Sequence, residues 1–238
     1  MLIGSSGIYR LFLLIVRQGV IPINIYKNKA ILVTGDMTEG RCARLYDPFF
    51  GLFLKPVYRA ALDMVRKYHC TRILDMGCGT GAQCTLLGIH GFTVVGIDRS
   101  EKMLDVARSK DTRVTYLLSD ASRTHLPDNY FDCAILSFVI HTNTPAEMES
   151  ILAEARRVVK PEGMYILADY GIPSTRKERL ASRMVGMIEH FAMEEHKKNY
   201  LNYMKLGGIH AFVKKHRLSV VENRTFYAGT IEMVAARW

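Results

Sequence analysis

The sequence predicts an α/β fold: a doubly wound, mostly parallel sheet of seven strands with a C-terminal antiparallel hairpin. Three observations carry that prediction. Short apolar runs recur between Thr71 and Ala168, and the first ends in a glycine-rich turn. Segments with helical spacing separate them, and parallel strands need crossovers of about a dozen residues or more. Two further apolar runs near the end of the chain are joined by Ala228-Gly229, as in a hairpin.

The elements follow in order. Arg72–Asp75 reads as a first buried strand and Thr93–Asp98 as a second. Ser100 stands where a helix cap belongs, ahead of Met103-Leu104 and Val106-Ala107. Val114–Leu118 and Phe131–Leu136 are the third and fourth strands. Thr144-Pro-Ala-Glu147 combines a hydroxyl cap, proline at the first helical position and a glutamate three residues on. The helix it starts carries Ile151, Leu152, Ala155, Val158 and Val159 and is expected to stop at Pro161-Glu-Gly163, before a fifth strand at Met164–Ala168. A second capping box, Thr175–Glu178, opens a helical region that Gly207-Gly208 breaks. Leu218–Glu222 and Thr230–Ala235 supply the hairpin.

Composition narrows the class. The chain has 238 residues, 49% hydrophobic and 23% charged, which excludes a disordered tail or a polytopic membrane protein. The five cysteines (Cys42, Cys70, Cys78, Cys84, Cys133) are odd in number, with no C-x-x-C pair. A disulfide framework or zinc knuckle is therefore not expected, and a reducing, cytoplasmic setting is. Up to residue 67 there are ten basic residues against four acids, six of the net charge of +9. The excess thus reads as a property of the N-terminal region rather than of a nucleic-acid groove. There, residues 8–16 form an apolar run broken by Arg10 and closed by Arg17, too short to span a bilayer. Three readings stay open: an accessory packed element, an interfacial anchor with Arg10, Arg17, Lys27 and Lys29 near headgroups, or an upstream stretch ahead of a true start at Met37.

The chemistry concentrates in Asp75-Met-Gly77-Cys-Gly79-Thr-Gly81. Glycines after a buried strand let the backbone turn sharply and approach a ligand, with the next helix N-terminus behind it. Asp98 ends the second strand, where a carboxylate can accept from two ribose hydroxyls. Asp120 ends the third, followed by Ala121 and Leu126-Pro127-Asp128.

With Val95-Gly-Ile-Asp98-x-Ser100-x-x-Met103-Leu104, Phe131-Asp132 and Arg157-Val-Val-Lys-Pro161-x-Gly163, these pieces resemble, in order and spacing, the class I S-adenosylmethionine-dependent methyltransferases. The resemblance covers roughly residues 70–170 and implies a Rossmann-like fold. It divides the chain into an N-terminal extension (1–36), cap helices (37–70) and a methyltransferase domain (71–238) with a substrate-side insertion at about 171–206. It also implies roles. The Gly77–Gly81 backbone would lie against the methionine part of S-adenosylmethionine and Asp75 would hold its amino group. Asp98 would bind the ribose, Met103 would pack on the adenine, and Asp120 with Ala121 would read its amino edge. Ser137 would line the wall near the methyl group, and Cys78 and Arg99 join the cofactor set by position. A dehydrogenase is the nearest rival, since Gly77-x-Gly79-x-x-Ala82 also fits a dinucleotide loop, but no tyrosine here has a lysine four residues on.

Methyl transfer from a sulfonium is mainly a matter of alignment and water exclusion. A base is needed where the acceptor must lose a proton. His141 is the candidate for that role, with loop orientation as its plain alternative, and Tyr46 could reach the cofactor or the acceptor. His190, Glu194 and His196 are read as a solvated charged face, so no metal site is expected. The acceptor is expected to be a small molecule, apolar or resembling a quinone precursor or lipid headgroup. An RNA methyltransferase and a cofactor-binding protein without catalysis are the alternatives. Against the first, Ser137-Phe-Val-Ile140 is not the Asn/Asp-Pro-Pro-aromatic sequence used on exocyclic amines.

Overall fold

The computed structural model describes residues 51–111, 113–173, 175 and 194–238. Residues 1–36, Cys42, Tyr46, His190 and most of the expected insertion at 171–206 lie outside the described residues. The elements are α1 (Leu52–Lys67), β1 (Arg72–Met76), α2 (Ala82–Ile89), β2 (Thr93–Asp98), α3 (Glu101–Lys110), β3 (Thr115–Leu118) and β4 (Phe131–Ser137). Then follow α4 (Pro145–Val158), β5 (Val159–Tyr170), α5 (Glu194–Lys205), α6 (Gly208–Lys215), β6 (Ser219–Phe226) and β7 (Ile231–Arg237).

The seven strands form one sheet in the order β3-β2-β1-β4-β5-β7-β6. Strands β1 to β5 pair in parallel, and β7 runs antiparallel to both β5 and β6. The order reverses between β1 and β4, so the loops leaving these two strands open a crevice at their carboxyl ends. Alternation along each strand sorts side chains between two cores. Ile73, Ile135, Ile166 and Met233 pack with Val57, Ala61, Leu62 and Val65 of α1, Leu87 of α2 and Leu104 of α3. Leu74, Leu136, Leu167 and Val234 pack with Ile151, Leu152 and Val158 of α4 and with Ile209 and Val213 of α6. Each valine, leucine, isoleucine or methionine among them contributes about 1.5–3 kcal/mol on burial.

The caps form as the sequence implies. Ser100 Oγ accepts the Met103 N–H at 3.4 Å. At α4, Thr144 Oγ1 accepts the Glu147 N–H at 3.3 Å and Glu147 Oε2 accepts the Thr144 N–H at 2.6 Å. The end of α4 differs from expectation. The helix stops at Val158 and β5 begins at Val159 with no connecting residue, so Pro161 lies inside a strand. Val159 pairs with Phe131, and the register then shifts before Cys133 meets Met164. In that irregular stretch a missing proline N–H costs no ladder bond. The hairpin strands are longer than expected, and Tyr227, Ala228 and Gly229 between them all take positive φ. Among the described residues no helix is long and apolar enough to cross a membrane, and Cys70, Cys78, Cys84 and Cys133 are free thiols.

Candidate active site

The glycine loop turns on left-handed residues, with φ of +80° at Gly77 and +53° at Gly79. Such backbone strains any residue with a Cβ. The two glycines meet different surroundings. A Cβ on Gly77 would stand 2.6 Å from Val139 Cγ2, so the segment after β4 bears directly on this loop. A Cβ on Gly79 would meet nothing within 4 Å, so here the backbone faces open space.

Asp98 holds the loop from the end of β2. Its Oδ2 accepts the Gly79 N–H at 2.8 Å and its Oδ1 accepts the Ser100 N–H at 2.8 Å. Arg99 beside it is exposed. Met103, on α3, is 8% exposed and belongs to neither of the two core clusters. Cys78 is half-buried inside the loop. Asp75, on β1, is buried; its Oδ2 accepts from Gln83 Nε2 at 3.3 Å and from Cys84 Sγ at 3.2 Å. Burial pushes its carboxyl up to about 6, against the pull of those two hydrogen bonds. Ser137 Oγ donates to Gln83 Oε1 at 3.1 Å, so Gln83 ties Asp75 of β1 to the end of β4.

Asp120 is exposed beyond β3, and the Ser122 N–H on its Oδ1 at 2.7 Å holds its carboxyl below the usual range, with Arg99 adding to the effect. Ala121 packs on the second core. A clamp from α4 fixes the segment that follows. Glu154 Oε1 accepts from Thr124 N at 2.7 Å and from Thr124 Oγ1 at 2.5 Å. Arg157 Nη1 donates to the Leu126 carbonyl at 2.8 Å and also bonds Asp128. Arg157 pulls the Glu154 carboxyl down to about 2.

His141 lies beyond β4, 3% exposed. Its Nδ1 faces Asp169 Oδ1 at 2.8 Å. The rings of Tyr170, His196 and Tyr200 have centroids 4.8, 5.3 and 6.1 Å from its own. Helix α5 brings His196 and Tyr200 there, fastened by Asn199 Nδ2 to the Thr142 carbonyl at 2.9 Å and by Tyr203 Oη to the Tyr170 carbonyl at 2.8 Å. The solvated face expected for His196 is thereby corrected. Its ring is half-buried against His141, because α5 turns that side of its surface onto the end of β5. Among the described residues no group of three or more His, Cys, Asp or Glu could hold a metal ion.

The sheet therefore brings Asp75, Gly77, Gly79, Asp98 and Ser137 to one crevice, with His141 two residues beyond the valine that touches Gly77. Sequence reasoning missed Gln83 and Asp169. Asp169 carried a usable signal, an acid ending a buried strand, the same feature that marked Asp75, Asp98 and Asp120. Gln83 carried none, since only the folded chain sets it between β1 and β4.

Residues 74–167 match a protein family described as a methyltransferase domain. Within residues 74–167, the stretch that holds the glycine loop, Asp98, Asp120 and His141, the chain is thus similar to a methyltransferase domain. Over 103 residues it is 36% identical to an uncharacterized methyltransferase of Synechocystis, spanning 43% of this chain and 49% of that one. Over 118 residues it is 31% identical to a demethylmenaquinone methyltransferase of Tropheryma whipplei, 48% of each chain. The chain thus matches about half the length of the curated relatives it resembles. The methyltransferase fold extends further than these matches. A provisionally assigned S-adenosylmethionine-dependent methyltransferase from Methanococcus maripaludis superposes with a TM-score of 0.58 at 16% identity, covering 90% of this chain and 97% of that one.

Proposed function

We propose that this chain transfers a methyl group from S-adenosylmethionine to a small, apolar acceptor. The observation that carries the reading is Asp98, whose two oxygens are pinned by backbone N–H groups at 2.8 Å each beside the open backbone of Gly79. A carboxylate fixed in this way keeps unused lone pairs in a set direction, which suits a vicinal diol. Asp75 complements it as a buried carboxylate held by the neutral Gln83 and Cys84 side chains, and an ammonium group would supply the balancing charge. When bound, S-adenosylmethionine supplies a methyl group on a positively charged sulfur. In this reading Gly77–Gly81 line the methionine end, Met103 packs on the adenine, and Asp120 with Ala121 meets its edge. Ser137 and Gln83 keep the crevice between β1 and β4 in shape.

The apolar acceptor rests on two supports. The His141 ring is packed among the rings of Tyr170, Tyr200 and Tyr203 at the end of β5, an aromatic setting beside the glycine loop. The relative from Tropheryma whipplei is named for demethylmenaquinone. The test is incubation with methyl-labelled cofactor and a cell extract divided into lipid, small-molecule, protein and nucleic-acid fractions. Label in the small-molecule or lipid fraction is the expected result. Label confined to RNA would replace this reading with an RNA methyltransferase, and cofactor binding without label would point to a non-catalytic role. Contact of residues 1–36 with a membrane is a separate proposal, supported by the apolar run at 8–16 that Arg10 interrupts and Arg17 closes. Co-sedimentation with anionic vesicles should be lost in a chain starting at Met37.

A further inference from the structure

We propose that Gln83 is a positioning residue: its side-chain amide, oriented by Ser137, keeps the buried Asp75 carboxyl able to ionise and so to receive an ammonium group. The inference rests on the methyl-transfer reading only for the molecule that carries that ammonium. The hydrogen-bond pattern itself follows from the donors and acceptors that the fold brings together.

Asp75 sits in poor surroundings for a charge. It is 2% exposed, and its neighbours across the sheet are Gly96 of β2 and Ile135 of β4. The space over Gly96 is filled by the sulfurs of Cys78 and Cys84, each 2.9 Å from where a Cβ would stand. Burial accordingly raises the Asp75 carboxyl to about 6, Cys84 and Gln83 pull it back, and Asp98 adds to the rise. The other titratable groups around it stay neutral through this range. Burial pushes up the thiols of Cys84 and Cys133 and the Tyr116 phenol. The Cys78 thiol is raised too, its hydrogen bond with Cys84 being outweighed by burial with the charges of Asp75 and Asp98. A negative charge on Asp75 therefore depends on the donors that reach it.

Two donors do so, both on Oδ2: Cys84 Sγ at 3.2 Å and Gln83 Nε2 at 3.3 Å. A thiol is a weak donor, and of the two only the amide reaches on to β4. Gln83 is itself buried, at 3% exposure, in the first turn of α2, where an apolar side chain would need no partner. An amide can turn over and exchange its oxygen with its nitrogen, but here both ends select the same orientation. An ionised carboxylate only accepts, so the group facing it must be the NH₂. Ser137 Oγ, 3.1 Å from Gln83 Oε1, then donates its hydrogen and holds the oxygen in place. Oδ1 of Asp75 carries no hydrogen bond among the described residues, which leaves that oxygen for an ammonium ligand. The chain Ser137–Gln83–Asp75 thus runs from β4 to β1, across the point where the strand order reverses. When Asp75 takes up a proton, its hold on the amide weakens, so carboxyl and amide respond to pH together.

The test follows both side chains by NMR in the full chain, labelled with ¹³C and ¹⁵N and without ligand, between about pH 4.5 and 8.5. In the wild type the Asp75 carboxyl carbon should titrate at about 6, and the Gln83 NH₂ signals should move with the same midpoint. Gln83 signals that ignore that midpoint would overturn the proposal without any variant having to fold. Gln83→Met keeps the side-chain length and removes the donor, so the Asp75 midpoint should rise by about 1 pH unit. Ser137→Ala acts on Asp75 only through Gln83 and should raise it by about 0.3–0.5. An unmoved midpoint in either folded variant would overturn the proposal. S-adenosylhomocysteine, which carries the same ammonium group and is not consumed, supplies the binding readout. Gln83→Met should bind it about fivefold more weakly than the wild type at about pH 6 and nearly equally at about pH 8. Weakening by one factor at both pH values would mean packing alone and would overturn the proposal. A wild type that does not bind S-adenosylhomocysteine, with both NMR titrations as stated, would count against methyl transfer and leave the Gln83 assignment standing.

Discussion

The loop after β1 and the loop after β4 share one crevice but are held by partners at different distances along the chain. Asp98 fixes the first, reaching back 19 residues to the Gly79 N–H and forward two to Ser100. Asp169 fixes the second from 28 residues away, and Asn199 fastens α5 to Thr142 from 57 away. The first loop needs glycines, whose φ angles mark it in any sequence. The second carries Phe138 at φ +60° with no glycine at all, and relies on carboxylate, imidazole and tyrosine contacts. The geometry of the glycine loop is thus written locally, and that of the His141 loop is written by the tertiary fold.

The largest expected effect isolates the first loop. Asp98→Ala should weaken cofactor binding by titration calorimetry at least about 100-fold, near 3 kcal/mol, while the His141 ring signals stay as in the wild type. Retained affinity would erase the distinction drawn between the two loops.

The next effect is one of pH. Folded Asp75 keeps its proton up to about 6, whereas in the unfolded chain it releases it near 3.8. Between those values the folded state binds more protons, so this group's contribution falls as pH rises from about 4 to 6, by about 3 kcal/mol, and is flat above. Denaturant unfolding of the cofactor-free chain should show that loss in the wild type relative to Asp75→Asn. Cofactor affinity, in contrast, should rise with pH through the same window, because an ammonium partner favours the ionised form. Equal pH profiles in the two proteins would remove Asp75 from the account.

Gly77→Ala joins the two regions. Its Cβ would stand 2.6 Å from Val139 Cγ2 on backbone at φ +80°, so the melting temperature should drop, by about 2–3 kcal/mol in stability. The His141 signals should shift as well; if they do not, the loops are mechanically separate. Smallest is Thr144→Ala, which removes the cap of α4 just beyond His141 and should cost about 1 kcal/mol in denaturant unfolding with cofactor affinity unchanged.

The same contrast explains what could be read in advance. The succession of strands along the chain and the Ser100 and Thr144 caps were legible because alternation and capping are short-range. The strand-end acids were legible because each followed an apolar run. The α4–β5 boundary was not, because Val159 becomes a strand residue only by pairing with Phe131. Gln83 and the inward face of His196 were hidden for the same reason, since their partners come from other elements.

The junction at Val158 and Val159 has a further consequence. With no connecting residue, α4 and β5 share a single length standard, and any residue added there would rotate the helix by about 100° or flip every side chain of the strand to the opposite face. Either change would displace the Arg157 clamp at one end or Asp169 at the other. Peptide tags and loop grafts belong instead at the Tyr227–Thr230 turn, where the hairpin can lengthen without re-phasing any element that reaches the crevice.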